Sequence, residues 1–306
     1  MASETEPRPP SPVLATVGYA AAYLAFAAAG GAVVASASDG PSWALTVLVT
    51  VVVMVSTALS LLFVLQACRI PMGVGVEAAL LLPATALFLL LRPEVAIAVA
   101  QWLHLDKGVL ARVAAIPAFP GQGLIGNLVL IFWAVLLGRL VSRVIREGKL
   151  LLPVAVAASL ADIFTVFWGF VGQAVEKAPK VVEAFSAQAP ALEVAKQTAA
   201  PVLTSVGMGD FLFLAIFLSV ALRFAMNATG AVWAAFVSML VAAVVLTFWF
   251  PGGIPGLPFI SIGVLLVNRK HLSFTAEEKR SLLVAGGAVL VVIAIIVFML
   301  VLRERG

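Results

Sequence analysis

Long apolar runs broken by short polar stretches make up most of this chain. Runs of the length needed to cross a bilayer, roughly 17 to 25 residues, fall near 13–36, 43–67, 73–91, 124–138, 150–171, 202–222, 229–250, 254–268 and 282–302. The pattern predicts an all-α polytopic membrane protein with about nine transmembrane helices. The stretch 92–123 stays open. Its pieces "EVAIAVAQWLHL" and "VLARVAAIPAFPGQG" are apolar but short, with Asp106, Lys107 and Arg112 between them. An interfacial helix pair, a re-entrant segment and one extra span all fit. No internal repeat stands out, which weighs against an inverted-repeat transporter.

Composition sharpens this picture. The 306 residues are 63% hydrophobic and 11% charged, with a mean hydropathy of +1.14, far from the balance of a soluble domain. The net charge of +4 does not indicate nucleic acid, because the basic residues sit between apolar runs as orientation signals do. Arg139, Arg143, Arg146 and Lys149 form the densest basic loop, Arg269, Lys270, Lys279 and Arg280 a second, and Arg223 marks a third. With these loops cytoplasmic, alternation puts the loop 173–201 outside, and a cysteine at Ser186 should meet an impermeant thiol reagent there. The native cysteine, Cys68, has no partner for a disulfide or thiolate metal site. The N-terminal "MASETEPRPPSP" lacks the basic region of a cleavable signal and reads as a disordered tail. The chain thus divides into a tail 1–11, an N-terminal helical scaffold 12–149, central helices 150–268 with the exterior loop, and a cytoplasmic loop with C-terminal helix 269–306. Its Ala, Val and Leu richness points to the cell membrane of a GC-rich prokaryote.

Two carboxylates interrupt the apolar runs. Asp162 follows Lys149 at the same spacing at which Asp210 precedes Arg223, on helices of opposite direction. Both should sit at one depth, roughly 20 Å from the cytoplasmic anchors. Each costs about 2.5 to 3.5 kcal/mol on insertion scales, and such residues face a bundle interior and mark function by default. With no mid-membrane cation on either helix, two facing carboxylates cannot both ionise cheaply, so the pair shares a proton. That is the arrangement of an aspartic-protease dyad. The plainer alternative is that each hydrogen-bonds a neighbouring helix as structural glue. Glu77 lies near the Arg69 end of its helix, where it can snorkel, and is assigned no role. Gly207 and Gly209 precede Asp210 and permit close approach of another backbone, although helix packing uses glycine in the same way. Gly256 precedes Arg269 by that same spacing, placing Pro255, Gly256, Leu257 and Pro258 at the aspartates' level. The prolines suggest a kink with free carbonyls, tolerated only around a wet cavity, or else a helix start.

These residues resemble the presenilin and signal peptide peptidase family of intramembrane aspartyl proteases. The block Gly207-Met208-Gly209-Asp210 resembles the family's GxGD motif, Asp162 to Phe167 its YD motif, and "PGLPFISIG" its PAL motif. The order of the three agrees over roughly 150–268. Ala161 stands where the family has tyrosine, removing a hydrogen-bonding neighbour of Asp162, and Gly256 stands for the alanine of PAL. The resemblance implies an intramembrane endopeptidase with a presenilin-like fold and Asp162 and Asp210 as catalytic dyad. It further implies that Gly207, Gly209, Pro255, Gly256, Leu257 and Pro258 contact substrate. No metal or organic cofactor is implied. The partners would be membrane lipid and transmembrane-helix or signal-peptide substrates, held by backbone bonds in an unwound stretch. Prepilin peptidases share the glycine-aspartate block, but a lysine follows there, against Phe211 to Phe213 here. A proton-coupled transporter or ion-leak channel could use the same acidic pair as a relay, and a silent scaffold would need neither aspartate.

Overall fold

The computed structural model describes residues 11–37, 42–102, 108, 122–167, 186–188, 205–249, 255–280, 282–284 and 286–287. Nine α-helices and a two-stranded hairpin account for most of these residues. Helices α1 (Pro12–Ser36), α2 (Ser42–Arg69), α3 (Val74–Leu91) and α4 (Pro93–Trp102) are followed by α5 (Gln122–Ser142) and α6 (Leu151–Phe167). Strands β1 (Ser186–Gln188) and β2 (Ser205–Gly207) then precede α7 (Met208–Arg223), α8 (Ala228–Trp249) and α9 (Leu257–Val267).

Among the described residues, five helices are long and apolar enough to cross a membrane: Pro12–Ser36, Trp43–Arg69, Val74–Leu91, Gln122–Ser142 and Gly148–Val166. The chain is therefore a mostly helical membrane protein. Large apolar side chains such as Leu14, Trp43, Leu82 and Val237 face outward, as a hydrocarbon solvent requires. Two of the later apolar runs give shorter helices than their length suggests. In the run 202–222, residues 205–207 are extended and the helix starts at Met208. In 254–268 it starts at Leu257, with proline in its first turn. Of 92–123, the part Pro93–Trp102 is helical, while 103–121 apart from Gly108 lies outside the described residues, as does most of 282–302 and of the loop 173–201.

The core forms where α2, α5 and α7 meet, around the fully buried Leu61, Leu65, Leu130, Ile131, Leu214, Phe217 and Leu218. Hydrocarbon gives helices no hydrophobic reason to associate, so close contact through small residues must hold them. At Gly138 of α5 an added Cβ would stand 2.7 Å from the Leu212 carbonyl oxygen and 2.8 Å from Ala215 Cβ of α7. At Gly263 of α9 it would stand 2.9 Å from the Ala234 carbonyl oxygen of α8. Gly138 sets how near α5 comes to α7, the helix that bears Asp210, and Gly263 how near α9 comes to α8.

Glu77 does not snorkel. It is 0% exposed, because the first turn of α3 faces the end of α5 rather than water. Arg139 donates Nε to its Oε1 at 2.7 Å and Arg143 donates Nε to Oε2 at 2.9 Å. Arg139 also donates Nη1 to the carbonyls of Ala67 and Cys68 and Nη2 to that of Ile70. Carbonyls at a helix end have no partner in their own helix, so Arg139 closes α2 while its charge is balanced by α3. One ion cluster ties three helices.

Candidate active site

The start of α9 organises the site. Pro258 suits a first turn, since it lacks an N–H that would be unpaired there anyway, and the Gly256 carbonyl accepts the opening bond from Ile260 N–H at 3.2 Å. The Leu257 N–H has no acceptor within its own helix. Asp162 supplies one: its Oδ2 accepts from Leu257 N–H at 3.0 Å. Asp162 is held in reach because α6 packs along α9, where the buried Ser261 donates Oγ to the Ala155 carbonyl at 3.4 Å.

Asp210 approaches the same two residues from another side. It lies in the first turn of α7, where its Oδ2 accepts from Gly207 N–H at 3.3 Å, a favourable position for a carboxylate near a helix N-terminus. A Cβ built on Gly256 would lie 3.0 Å from Asp210 Oδ1 and 3.4 Å from its Cγ. The absence of a side chain at Gly256 is what admits the carboxylate. Asp162 and Asp210 thus flank consecutive residues. Both are half-buried. Among the described residues neither pairs with a Lys or Arg, and Oδ1 of each accepts no protein hydrogen bond. Two carboxylates so placed, each with one oxygen fixed by backbone and one available, can share a proton and hold a water between them.

The other residues singled out from the sequence fall differently. Gly207 ends β2, and its position brings the strand to Asp210. Leu257 is in direct contact with Asp162, but its side chain is 4% exposed and belongs to the core. Pro255 is buried and Pro258 partly so. Gly209 is exposed, with nothing within 4 Å of an added Cβ. The kink with free carbonyls expected at Pro255 to Pro258 is instead a helix start, since the Gly256 carbonyl is used by Ile260. Residues 251–254 lie outside the described residues.

The loop 173–201 contributes β1, whose Ser186, Ala187 and Gln188 pair antiparallel with Gly207, Val206 and Ser205 of β2. Ser186 is therefore buried, at 7% exposure, and is not the accessible reporter its polar loop suggests. A polar group behind the hairpin escaped the sequence reading. Arg92, buried at the end of α3, donates to Asn127 Oδ1 of α5 and, at 3.5 Å, to the Ser186 carbonyl, and Asn127 donates Nδ2 to Tyr23 Oη at 3.4 Å. Asn127 within an apolar run is the signal that could have found it. Through these contacts α1, α3 and α5 fix β1, β1 fixes β2, and β2 leads into the turn that carries Asp210.

Among the described residues no three His, Cys, Asp or Glu side chains cluster to hold a metal ion. Searches of protein-family models, of curated proteins and of solved structures found no match to the chain.

Proposed function

We propose that this protein is an intramembrane aspartyl endopeptidase that hydrolyses peptide bonds within transmembrane segments, similar to signal peptide peptidase and presenilin. The observation that carries the reading is the meeting of Asp162 and Asp210, far apart in sequence and on separate helices, at the single peptide unit Gly256-Leu257. In this reading the ionised member takes a proton from water as its oxygen attacks the scissile carbonyl, while the protonated member donates to the carbonyl oxygen. Collapse of the tetrahedral adduct breaks the C–N bond, and the departing amine receives a proton from the pair. A spanning helix uses its amides internally, so the cut site must first open. The exposed Gly209 and the end of β2 lie beside Asp210, where an extended substrate could bond to backbone. A fold of about nine spans, with helices α7, α8 and α9 and the C-terminal run included, accompanies this proposal.

Cleavage of a generic transmembrane peptide by the purified protein tests it. Asp162→Asn and Asp210→Asn should each reduce turnover at least about 1,000-fold with helix content unchanged, because one shared-proton pair needs both members. Activity should also fall on both sides of an acidic-to-neutral optimum. In acid both members are protonated and none can accept a proton; in alkali both are ionised and none can donate. Substantial cleavage by either variant, or a flat pH profile, would defeat the dyad. A proton relay would use the same pair, and is selected if liposomes containing the protein pass ions while no peptide is cut.

A further inference from the structure

Away from the aspartates, a cavity of about 480 Å³ opens at the end of the bundle where α2, α5 and α7 finish and α3 begins. Its wall carries Arg69, Arg139, Arg143 and Arg223 against the lone acid Glu77. Four guanidinium groups and one carboxylate leave three positive charges around one opening. Arg139 is committed to the interior, with all its bonds made to Glu77 and the α2 end. The other three are exposed and keep donors in hand. Arg69 uses Nη2 on Thr229 Oγ1 at 2.9 Å, Arg143 uses Nε and Nη2 on Glu77 and the Met72 carbonyl, and Arg223 uses Nη2 on the carbonyls of Ser142 and Ile145. Among the described residues, Nη1 of all three and Nε of Arg69 and Arg223 have no protein acceptor.

Basic residues at this end of the helices satisfy orientation on their own, but orientation does not require them to converge on one cavity. The fixed forks of three guanidiniums match the oxygens of a phosphate group. The remaining wall is mostly apolar, with Ile70, Pro71, Met72 and Leu222 beside Ser142 and Ser219. The cavity also lies at the ends of helices long enough to span, where lipid headgroups stand. We infer that this cavity binds the phosphate group of an anionic phospholipid, held by Arg69, Arg143 and Arg223. The site is independent of the proposed peptidase activity, and its test does not read cleavage.

Delipidated full-length protein in detergent is melted with added phosphatidylglycerol, phosphatidylcholine or inorganic phosphate, and bound lipid is counted by native mass spectrometry. Phosphatidylglycerol should be retained and raise the melting temperature, while phosphatidylcholine does neither. Retention should weaken about tenfold for each arginine removed in Arg69→Gln and in Arg69→Gln/Arg223→Gln. Arg223 also closes two carbonyls, so the single variant, whose only lost bond among the described residues is to Thr229, keeps the test valid if the double variant unfolds. Equal retention of the two lipids, or undiminished retention by Arg69→Gln, would overturn the inference. A matching shift with inorganic phosphate would overturn the lipid assignment in favour of a soluble phosphate ligand.

Discussion

Gly256 and Gly209 both adjoin Asp210 in space, yet their surroundings differ enough to separate positioning from stability. A Cβ at Gly256 meets Asp210 Oδ1 at 3.0 Å, closer than contact allows without movement, so Gly256→Val should push the carboxylate away from Leu257 and abolish cleavage. Gly209 has open space where its Cβ would be, so Gly209→Ala should leave the melting temperature within about 2 °C of the parent. Any loss of cleavage in that variant then reports space needed by substrate. An active Gly256→Val protein would mean that the close approach of Asp210 is incidental. At this scale the acidic pair was legible in the sequence, because a carboxylate inside an apolar run must be explained. Arg92 and Tyr23 were not, because the first stands at the edge of an ambiguous stretch and the second reads as one aromatic among apolar neighbours. Leu257 lies beside Asp162 through its backbone N–H, while its side chain fills the core. A Leu257→Glu test of substrate grip would therefore measure folding instead.

Helix α7 shows what apolar pattern reveals about an element and what it does not. Hydropathy marks 202–222 as one run, but a short apolar stretch can be strand or helix, and only pairing with β1 makes 205–207 extended. Pairing depends on residues well upstream in the chain, which no local periodicity contains. The same helix is held against α5 at Gly138, where an added methyl would run into the Leu212 carbonyl and Ala215. Gly138→Ala should cost about 1–3 kcal/mol, and Gly138→Leu should separate the helices. Unfolding of purified protein in detergent measures the first, with loss of cleavage expected to follow as Asp210 is displaced from Gly256. A Gly138→Leu protein of parental stability would show that α5 and α7 are not packed this closely.

Across the whole molecule, the ends of α2, α5, α7 and α9 and the starts of α3, α6 and α8 belong to one side of an alternating chain, the side that holds the basic loops. From counted charges, which need no packing detail, that side is expected to face the cytoplasm. With Ser186 buried, accessibility must be read elsewhere. In a protein with Cys68 replaced by alanine, Ser36→Cys, exposed at the end of α1, should react with an impermeant thiol reagent on intact cells. Glu147→Cys, exposed in the basic loop, should react only after lysis, and the reverse pattern would invert the topology.

The complete burial of Glu77 has a consequence for how the chain enters the bilayer. Its first counter-ion, Arg139, comes two helices later in the chain, so α3 emerges from the ribosome carrying a carboxylate whose partners are not yet made. Glu77 stands in the first turn of α3, at the headgroup end, where a lone carboxylate stays hydrated, so α3 can insert first and the group loses its water only when α5 arrives. In an insertion assay, a nascent chain ending before residue 122 should hold α3 equally well with and without Glu77→Gln. The same substitution should weaken the finished protein, where removing one partner of a buried ion cluster leaves the arginines uncompensated. A charge without consequence for the early step of biogenesis is the one that later fixes three helices in register.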